Sequence, residues 1–176
     1  KQMKSTTKLI LMMGALSMAA CTNAGKLGGG AGDGAFDPNA AGNSGVIAGS
    51  ASDPASTAYF QQAVGDRVTF EVDQSSLTAV GRATLDGQAT WLLTNADYTA
   101  IIEGHADEQG TREYNIALGN RRADAARSYL VSKGVPSSRM QIVSYGKERP
   151  IEICSKEACY AKNRRAVTVL AGGLTG

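Results

Sequence analysis

Asp107 and Arg122 are the residues whose types and spacing most directly suggest chemistry. Asp107 follows the short apolar stretch Ile101-Ile102-Glu103-Gly104-His105-Ala106, which predicts a strand, and Arg122 lies in a stretch that predicts a helix. The planar guanidinium of arginine can pair with a carboxylate through two hydrogen bonds, and an aspartate can accept hydrogen bonds from an ammonium group. Held at one end of a sheet, the two side chains would suit a zwitterionic ligand.

The helix that carries Arg122 must hold it in place. We expect this helix to begin after Thr111, which can cap it, and to end at Lys133-Gly134, where glycine suits the left-handed residue that closes a helix. At about 100° per residue, Arg122 and Asn115 fall on the apolar half of the helix, which comprises Leu118, Ala123, Ala125, Ala126, Tyr129 and Leu130. The sequence therefore predicts that Arg122 and Asn115 point inward.

An inward guanidinium is costly unless an acceptor meets it. One interpretation is an internal ion pair between Asp107 and Arg122 that joins helix to strand. The other is a ligand site that uses the same two charges. The residues alone leave both open.

Four motifs, taken in order, resemble the OmpA-like peptidoglycan-binding domain over roughly residues 66 to 171. They are Gly104-His105-Ala106-Asp107-Glu108-Gln109-Gly110-Thr111, Glu113-Tyr114-Asn115-Ile116-Ala117-Leu118-Gly119-Asn120-Arg121-Arg122-Ala123, Val143-Ser144-Tyr145-Gly146-Lys147-Glu148-Arg149-Pro150 and Lys162-Asn163-Arg164-Arg165-Ala166-Val167. The resemblance implies binding of meso-diaminopimelate, an amino acid of peptidoglycan stem peptides that carries an amine and a carboxylate on one side-chain carbon.

The same resemblance assigns roles to six residues. Asp107 would hold the ammonium group of diaminopimelate and Arg122 its carboxylate, while Thr111 and Asn115 would add hydrogen bonds. Asp73 and Leu118 would line the pocket. Val72 stands where the related lipoproteins usually have phenylalanine, so the wall beside Asp73 departs from the family pattern.

The hydrophobic pattern predicts an α+β fold, an α/β sandwich. Val68, Phe70 and Val72 alternate with polar residues as in a half-buried strand, and Thr78 can cap a helix that runs to about Thr94. After the central strand and its helix, further strands are expected at 141–145 and 166–170, with a short helix possible in the loop between them. This order matches the OmpA-like β-α-β-α-β-β arrangement, with helices on one face of a mixed four-stranded sheet.

Residues 1–20 read as a lipoprotein signal peptide, with a basic start, a short apolar run and Ala19-Ala20 before Cys21. Cys21 would then carry lipid, although an ordinary signal peptide with a free Cys21 is the alternative. Residues 21–57 are rich in Gly, Ala, Ser and Asn, which predicts a disordered linker, and residues 58–176 form the predicted binding domain. Thr22 after the cysteine resembles lipoproteins sent to the outer membrane, with the domain facing the periplasm.

Cys154 and Cys159 form an even pair once Cys21 is set aside, and in an exported protein such a pair predicts a disulfide. A metal site made from these cysteines and His105 is a poor alternative, because this is the only histidine and zinc usually needs four ligands. We expect neither a metal nor a cofactor. His105 itself is expected to be structural, donating to a backbone carbonyl or a neighbouring side chain.

Charge and composition narrow the function classes. The formal net charge of +2 includes Lys1, Lys4 and Lys8, so the rest of the chain carries −1. It therefore lacks the excess of positive charge that is typical of nucleic-acid-binding proteins. The resemblance implies a noncovalent wall-binding lipoprotein that docks with the Tol periplasmic β-propeller protein and other components of the Tol-Pal system. The alternative is a wall-active enzyme, an amidase or a glycosidase, but Asp107 and Glu108 are adjacent and should point apart. We therefore expect no enzymatic activity.

Overall fold

The computed structural model describes residues 46–172 and contains a four-stranded mixed sheet. The elements are α1 (Thr57–Tyr59), which continues as a π-helical segment (Phe60–Gly65), β1 (Arg67–Thr69), α2 (Ala79–Thr94), β2 (Tyr98–His105), α3 (Arg112–Ser132), a 3-10 turn (Ser137–Arg139), β3 (Met140–Gly146), α4 (Glu157–Asn163) and β4 (Arg165–Gly172). The sheet order is β1-β4-β2-β3, in which β2 and β3 are parallel and the other pairs antiparallel. The predicted α+β fold class is confirmed.

One face of the sheet forms the core together with the helices. Ala100 and Ile102 of β2, Met140 of β3 and Ala166 of β4 belong to one buried cluster with residues of α2 and α3, namely Leu85, Ala89, Trp91, Leu92, Ala123, Ala126 and Leu130. Side chains two apart on a strand share a face, which explains why Ala100 and Ile102 are buried together. Burying each large apolar side chain contributes about 1.5–3 kcal/mol, so this face holds the helices on the sheet.

Hydroxyl caps start both long helices. Thr78 Oγ accepts a hydrogen bond from the amide of Gly81 at 3.0 Å, and Thr111 Oγ accepts one from the amide of Tyr114 at 3.2 Å. Gly134 follows α3 with a φ of 100°, the left-handed conformation that ends helices. The predicted limits of α3 are therefore confirmed.

Gly104 of β2 and Gly119 of α3 let the helix approach the sheet closely. A Cβ atom on Gly104 would lie 1.8 Å from the carbonyl oxygen of Gly119, and one on Gly119 would lie 2.4 Å from Ser144 Oγ. Any larger residue at either position would push α3 away from the strand. This contact brings the first turns of α3 beside the end of β2, where Asp107 follows.

The first strand is shorter than the alternating pattern predicted. β1 covers only Arg67–Thr69, after which the chain turns so that Gln74 N donates to Glu71 O and Asp73 adopts a φ of 57°. Val72 is 51% exposed, so its expected place on the buried side of a strand is wrong. A turn ends the strand after Thr69, and the alternation of apolar and polar residues alone does not show this end point.

Residues before the predicted domain boundary at residue 58 contact the core. Trp91 Nε1 donates to the carbonyl of Pro54 at 2.7 Å, and Tyr98 Oη donates to the carbonyl of Ala55 at 2.9 Å. Ser56 is buried and caps α1. The prediction of disorder up to residue 57 is therefore wrong for residues 54–56, whose backbone satisfies aromatic donors of the core. The predicted signal peptide and Cys21 lie outside the described residues.

Between residues 46 and 172, none of the helices has the length and apolar character needed to cross a membrane.

Candidate ligand-binding cleft

A cleft of about 250 Å³ opens at the end of β2. Three segments meet there: the turn after β1, the loop after β2 and the first turns of α3. The lining residues are Val72, Asp73, Asp107, Gln109, Gly110, Tyr114, Asn115 and Leu118. Of the six residues predicted from the sequence, Asp73, Asp107, Asn115 and Leu118 line this cleft, whereas Thr111 and Arg122 do not.

Asp107 is held firmly but retains acceptor capacity. Its Oδ2 lies 3.1 Å from Arg164 Nη1, and its Oδ1 accepts a hydrogen bond from the amide of Gln109 at 3.1 Å. Its exposed fraction is 8%. Because an ionised carboxylate offers about four lone-pair sites, Asp107 can still accept from a cationic guest in the cleft.

Arg122 lies behind the cleft and is fully buried. Its Nε donates to Gln74 O at 2.8 Å, Nη1 to His105 O at 2.9 Å and Nη2 to Glu71 O at 3.1 Å. The predicted inward direction is confirmed, but the ion pair with Asp107 that we considered is wrong for the described residues. The guanidinium instead joins the end of β2 to the turn at residues 71–74, because it donates hydrogen bonds to backbone carbonyls of both segments.

The charge of Arg122 persists despite its burial. Desolvation lowers the pKa of Arg122 to about 10, and the nearby Asp107 carboxylate opposes that shift. At neutral pH the group is therefore protonated. It contributes a fixed positive charge close to the cleft without exposing its nitrogens there.

Thr111 and Asn115 shape the loop that ends at α3. The hydroxyl of Thr111 caps the helix, so its contribution is to fix the helix start. Asn115 is buried, and its Nδ2 donates to the carbonyl of Gln109 at 2.8 Å. Asn115 thus fixes the 107–110 loop while also lining the cleft.

Tyr114 is a lining residue that the sequence reasoning missed. Its hydroxyl donates to Asp73 Oδ1, which joins α3 to the turn after β1, and this hydrogen bond raises the pKa of Tyr114. The side chain is 44% exposed and lies off the apolar half of the helix. Helical periodicity therefore gave no signal for it, because the contact depends on where the turn after β1 goes.

Arg164 also belongs to the site, and it connects Asp107 to Glu157. Its Nη2 contacts the Glu157 carboxylate, and its Nε donates to Phe70 O at 3.2 Å. Burial alone would lower the pKa of Arg164, but the hydrogen bonds to Glu157 and Asp107 outweigh burial and raise it. These ion pairs join the turn before β4 to the loop after β2 and to α4.

The loop between β3 and α4 is closed by the predicted disulfide. Cys154 and Cys159 are bonded, which confirms the pairing. Ser155 Oγ and Tyr160 Oη, in and beside this loop, donate to Glu108 Oε1 at 2.9 and 2.7 Å. The described residues include no group of three or more potential metal-ligating side chains.

His105 is buried at the end of β2 without a hydrogen-bond partner. Neither ring nitrogen has one among residues 46–172, and Nε2 lies 3.6 Å from Glu103 Oε2. Burial lowers the pKa of His105 to about 4, with further contributions from the charges of Arg165 and Arg149. The imidazole is thus structural and neutral, but the expected donation to a carbonyl or side chain is wrong.

Comparison with known proteins settles the family. The OmpA family profile matches residues 69–164, the part of the chain that builds the cleft. The chain belongs to the OmpA family.

The similar relatives of this OmpA-family chain are named peptidoglycan-associated lipoproteins. The protein of Rhizobium meliloti (strain 1021) is 55% identical over 135 residues, covering 77% of this chain and 76% of its own. That of Agrobacterium fabrum is 46% identical over 164 residues, covering 93% and 87%. The similarity to the second relative extends well beyond the residues that match the family profile.

Solved structures with the OmpA-like fold are similar to the structure of this chain. The crystal structure of the peptidoglycan-associated lipoprotein from Burkholderia pseudomallei superposes with a TM-score of 0.61 at 38% identity, covering 68% of this chain and 97% of the other. The C-terminal domain of Helicobacter pylori MotB gives a TM-score of 0.57 at 19% identity, covering 60% and 84%. The second likeness concerns the fold alone.

Proposed function

We propose that this chain is an outer-membrane lipoprotein that binds peptidoglycan noncovalently through the diaminopimelate of the stem peptide. The observation that carries the proposal is the cleft beside Asp107, in an OmpA-family chain whose relatives are named peptidoglycan-associated lipoproteins. The cleft offers a carboxylate at its wall and a buried positive charge behind it, which together complement a zwitterion.

The ammonium group of diaminopimelate would bind Asp107. That carboxylate already has two fixed neighbours, Arg164 and the amide of Gln109, so it meets the guest in one orientation. A preorganised acceptor avoids the entropy of ordering a side chain on binding. Leu118 and Val72 would contact the methylene groups between the two ends of the ligand.

The carboxylate of diaminopimelate would lie on the side of Arg122 and the start of α3. The backbone N–H groups of a first helical turn favour an anion, and Thr111 fixes that turn. A guanidinium has five N–H donors, of which Arg122 uses three on carbonyls. Direct contact would need a small movement of the turn at residues 71–74, and without it Arg122 acts through its charge.

The hydrogen-bonding partners of the cleft carboxylates favour a role in binding over a role in catalysis. A glycosidase needs one carboxyl group free to give a proton and a second free to activate water or attack carbon. Here Asp107 is paired with Arg164, and Asp73 accepts from Tyr114. Both carboxylates act as structural acceptors, which supports a binding protein rather than a wall-active enzyme.

The remainder of the proposal concerns attachment and partners. Residues 1–20 would be a signal peptide, Cys21 would carry lipid in the outer membrane, and the following linker would let the domain reach the wall from the periplasmic side. By the resemblance that its sequence motifs carry, the chain would dock with the Tol periplasmic β-propeller protein. It would thus tether outer membrane to wall within the Tol-Pal system, supporting envelope integrity and membrane constriction during division.

Sedimentation with purified sacculi tests wall binding. We expect residues 22–176 to sediment with sacculi that contain diaminopimelate and Asp107→Asn to stay in solution while keeping its fold. Asp124→Asn is the matched control, because Asp124 is exposed on the opposite side of α3. Equal sedimentation of the Asp107 variant would contradict the proposed site, and release of muropeptides by the native protein would favour an enzyme.

A further inference from the structure

The disulfide loop contacts two residues that neighbour Asp107. The cysteines are five residues apart, and the segment they close contains Ser155 and Glu157. Ser155 donates to Glu108, the residue after Asp107, at 2.9 Å. Glu157 contacts Arg164, which is the ion-pair partner of Asp107. Two separate contacts thus run from this loop, one to the chain neighbour of Asp107 and one to its ion-pair partner.

Glu157, Arg164 and Asp107 form a row of alternating charges. Arg164 is buried, with its guanidinium between the two carboxylates, whereas Glu157 is largely exposed. Asp107 and Arg164 alone would neutralise each other, leaving little attraction for an ammonium group in the cleft. Glu157 adds a second negative charge that shares the guanidinium, so the row carries a net negative charge beside the cleft.

Helix α4, which presents Glu157, depends on a restraint from outside itself. It has seven residues, Glu157–Asn163, and its N-cap residue Lys156 makes no side-chain capping bond. Helices of this length are unstable alone, and an uncapped first turn frays. The Cys154–Cys159 bond ties that first turn to the preceding loop, and so it keeps Glu157 within reach of Arg164.

We propose that the disulfide-closed loop is a positioning element of the cleft, in which Glu157 acts through Arg164 to set the orientation and negative potential of Asp107. This inference rests on the proposed function. Reduction by a dithiol would break the S–S bond, give two cysteine thiols and convert the reductant to its own disulfide. The reduced protein would keep its fold but bind the wall more weakly.

Wall affinity of residues 22–176 with Glu157→Gln is the first test. Glutamine keeps the size of the side chain and removes its charge, and we expect affinity for sacculi to fall about fivefold, equivalent to about 1 kcal/mol. The thermal midpoint should change little, because Glu157 is exposed. Glu152→Gln is the matched control, since its carboxylate pairs with Lys162 at 2.8 Å in the same region and does not contact Arg164. It should bind like the native protein.

The pair of substitutions Cys154→Ser and Cys159→Ser is the second test. We expect a loss of affinity similar to that of Glu157→Gln, and we expect the combined variant to lose no more than the larger single effect, because both act through Arg164. Native affinity in the folded Glu157 or cysteine variant would overturn the proposal. If the cysteine variant did not fold, Glu157→Gln alone would decide.

A measurement made in the absence of peptidoglycan separates this inference from the proposed function. The amide of Gln109 donates to Asp107 Oδ1, so its hydrogen exchange reports how firmly that carboxylate is held. We expect faster exchange in Glu157→Gln and in the disulfide-free protein, and unchanged exchange in Glu152→Gln. If the native protein failed to bind sacculi, the proposed function would be wrong, and unchanged Gln109 exchange in these variants would overturn the positioning role by itself.

Discussion

Asp107 forms its ion pair with Arg164, at 3.1 Å, and not with the buried Arg122 that its sequence neighbourhood suggested. The two arginines therefore have different structural roles. Arg164 holds the carboxylate at the cleft wall, while Arg122 holds the backbone of the turn that forms the opposite side. Asp107 and Arg122 do not pair, and a cleft of about 250 Å³ lies between the loop after β2 and the turn after β1.

Substituting Arg122 with lysine should affect stability and binding together. Lysine keeps the charge, but its single ammonium group cannot reproduce the fork that serves three carbonyls. We expect unfolding free energy to fall by about 2–3 kcal/mol, in the range for an unsatisfied buried polar group, and sacculus binding to weaken as the turn at residues 71–74 loosens. Urea unfolding and sedimentation measure the two effects. Arg112→Lys, at an exposed site on the same helix, should be nearly neutral, and an equally small effect at Arg122 would contradict its role.

The helix α3 shows how much of this site the sequence could predict. Its start at Thr111, its end near Gly134 and the inward direction of Asn115 and Arg122 all follow from local periodicity and capping, and all agree with the structure. Each of these features depends on residues within a few turns of one another. The site residues came instead from the resemblance to the OmpA-like family, and four of those six line the cleft.

The partner of Asp107 could not be predicted in this way. Arg164 is 57 positions away and reaches Asp107 because β4 pairs with β2 in a register that sets His105 opposite Arg165. A shift of that register would move every side chain of β4, and no local pattern reports it. The end of β1 at Thr69 is similar, since the turn that follows depends on hydrogen bonds that Arg122 donates to the carbonyls of Glu71 and Gln74.

The burial of His105 predicts that the free energy of unfolding decreases as the pH falls. Its folded pKa of about 4 lies below the ordinary 6.5, so the unfolded chain binds the proton first as pH falls. The stability contributed by neutral His105 is complete above about pH 6.5 and is lost as pH falls toward 4, by up to about 3 kcal/mol. Urea unfolding between pH 7 and 5 should show this slope before most carboxylates titrate. His105→Phe, which stays neutral, should flatten it, whereas an unchanged slope in that variant would exclude His105 as the cause.

The segment before α1 should contribute to the stability of the domain. A chain that starts at Thr57 loses the carbonyl acceptors of Trp91 and Tyr98 and the Ser56 cap. Relative to a chain that starts at Val46, we expect a lower thermal midpoint, by roughly 4–8 °C for each kcal/mol lost. Pro54→Ala in the longer chain is the control, because the backbone carbonyl remains. Equal midpoints for both chain lengths would show that these contacts do not stabilise the fold.

Tyr114→Phe should weaken wall binding with little loss of stability. The change removes only the hydroxyl that donates to Asp73 and leaves the exposed ring in place. The turn after β1 would then be less fixed at the cleft, and we expect affinity for sacculi to fall about threefold, equivalent to about 0.7 kcal/mol. Tyr129→Phe, which removes a hydroxyl bonded to Asp86 away from the cleft, should bind normally. Native affinity in the Tyr114 variant would remove its hydroxyl from the site.

In the proposed mode of binding, the cleft contacts both charges at the end of diaminopimelate. An NMR titration of residues 22–176 with a stem peptide containing meso-diaminopimelate, compared with one containing lysine, tests it most directly, because lysine has the amine without the second carboxylate. We predict that the diaminopimelate peptide shifts the amide signals of Gln109, Gly110 and Asn115, and that the lysine peptide binds at least tenfold more weakly, about 1.4 kcal/mol. Equal binding of the two peptides, or shifts confined to residues away from the cleft, would contradict the claim.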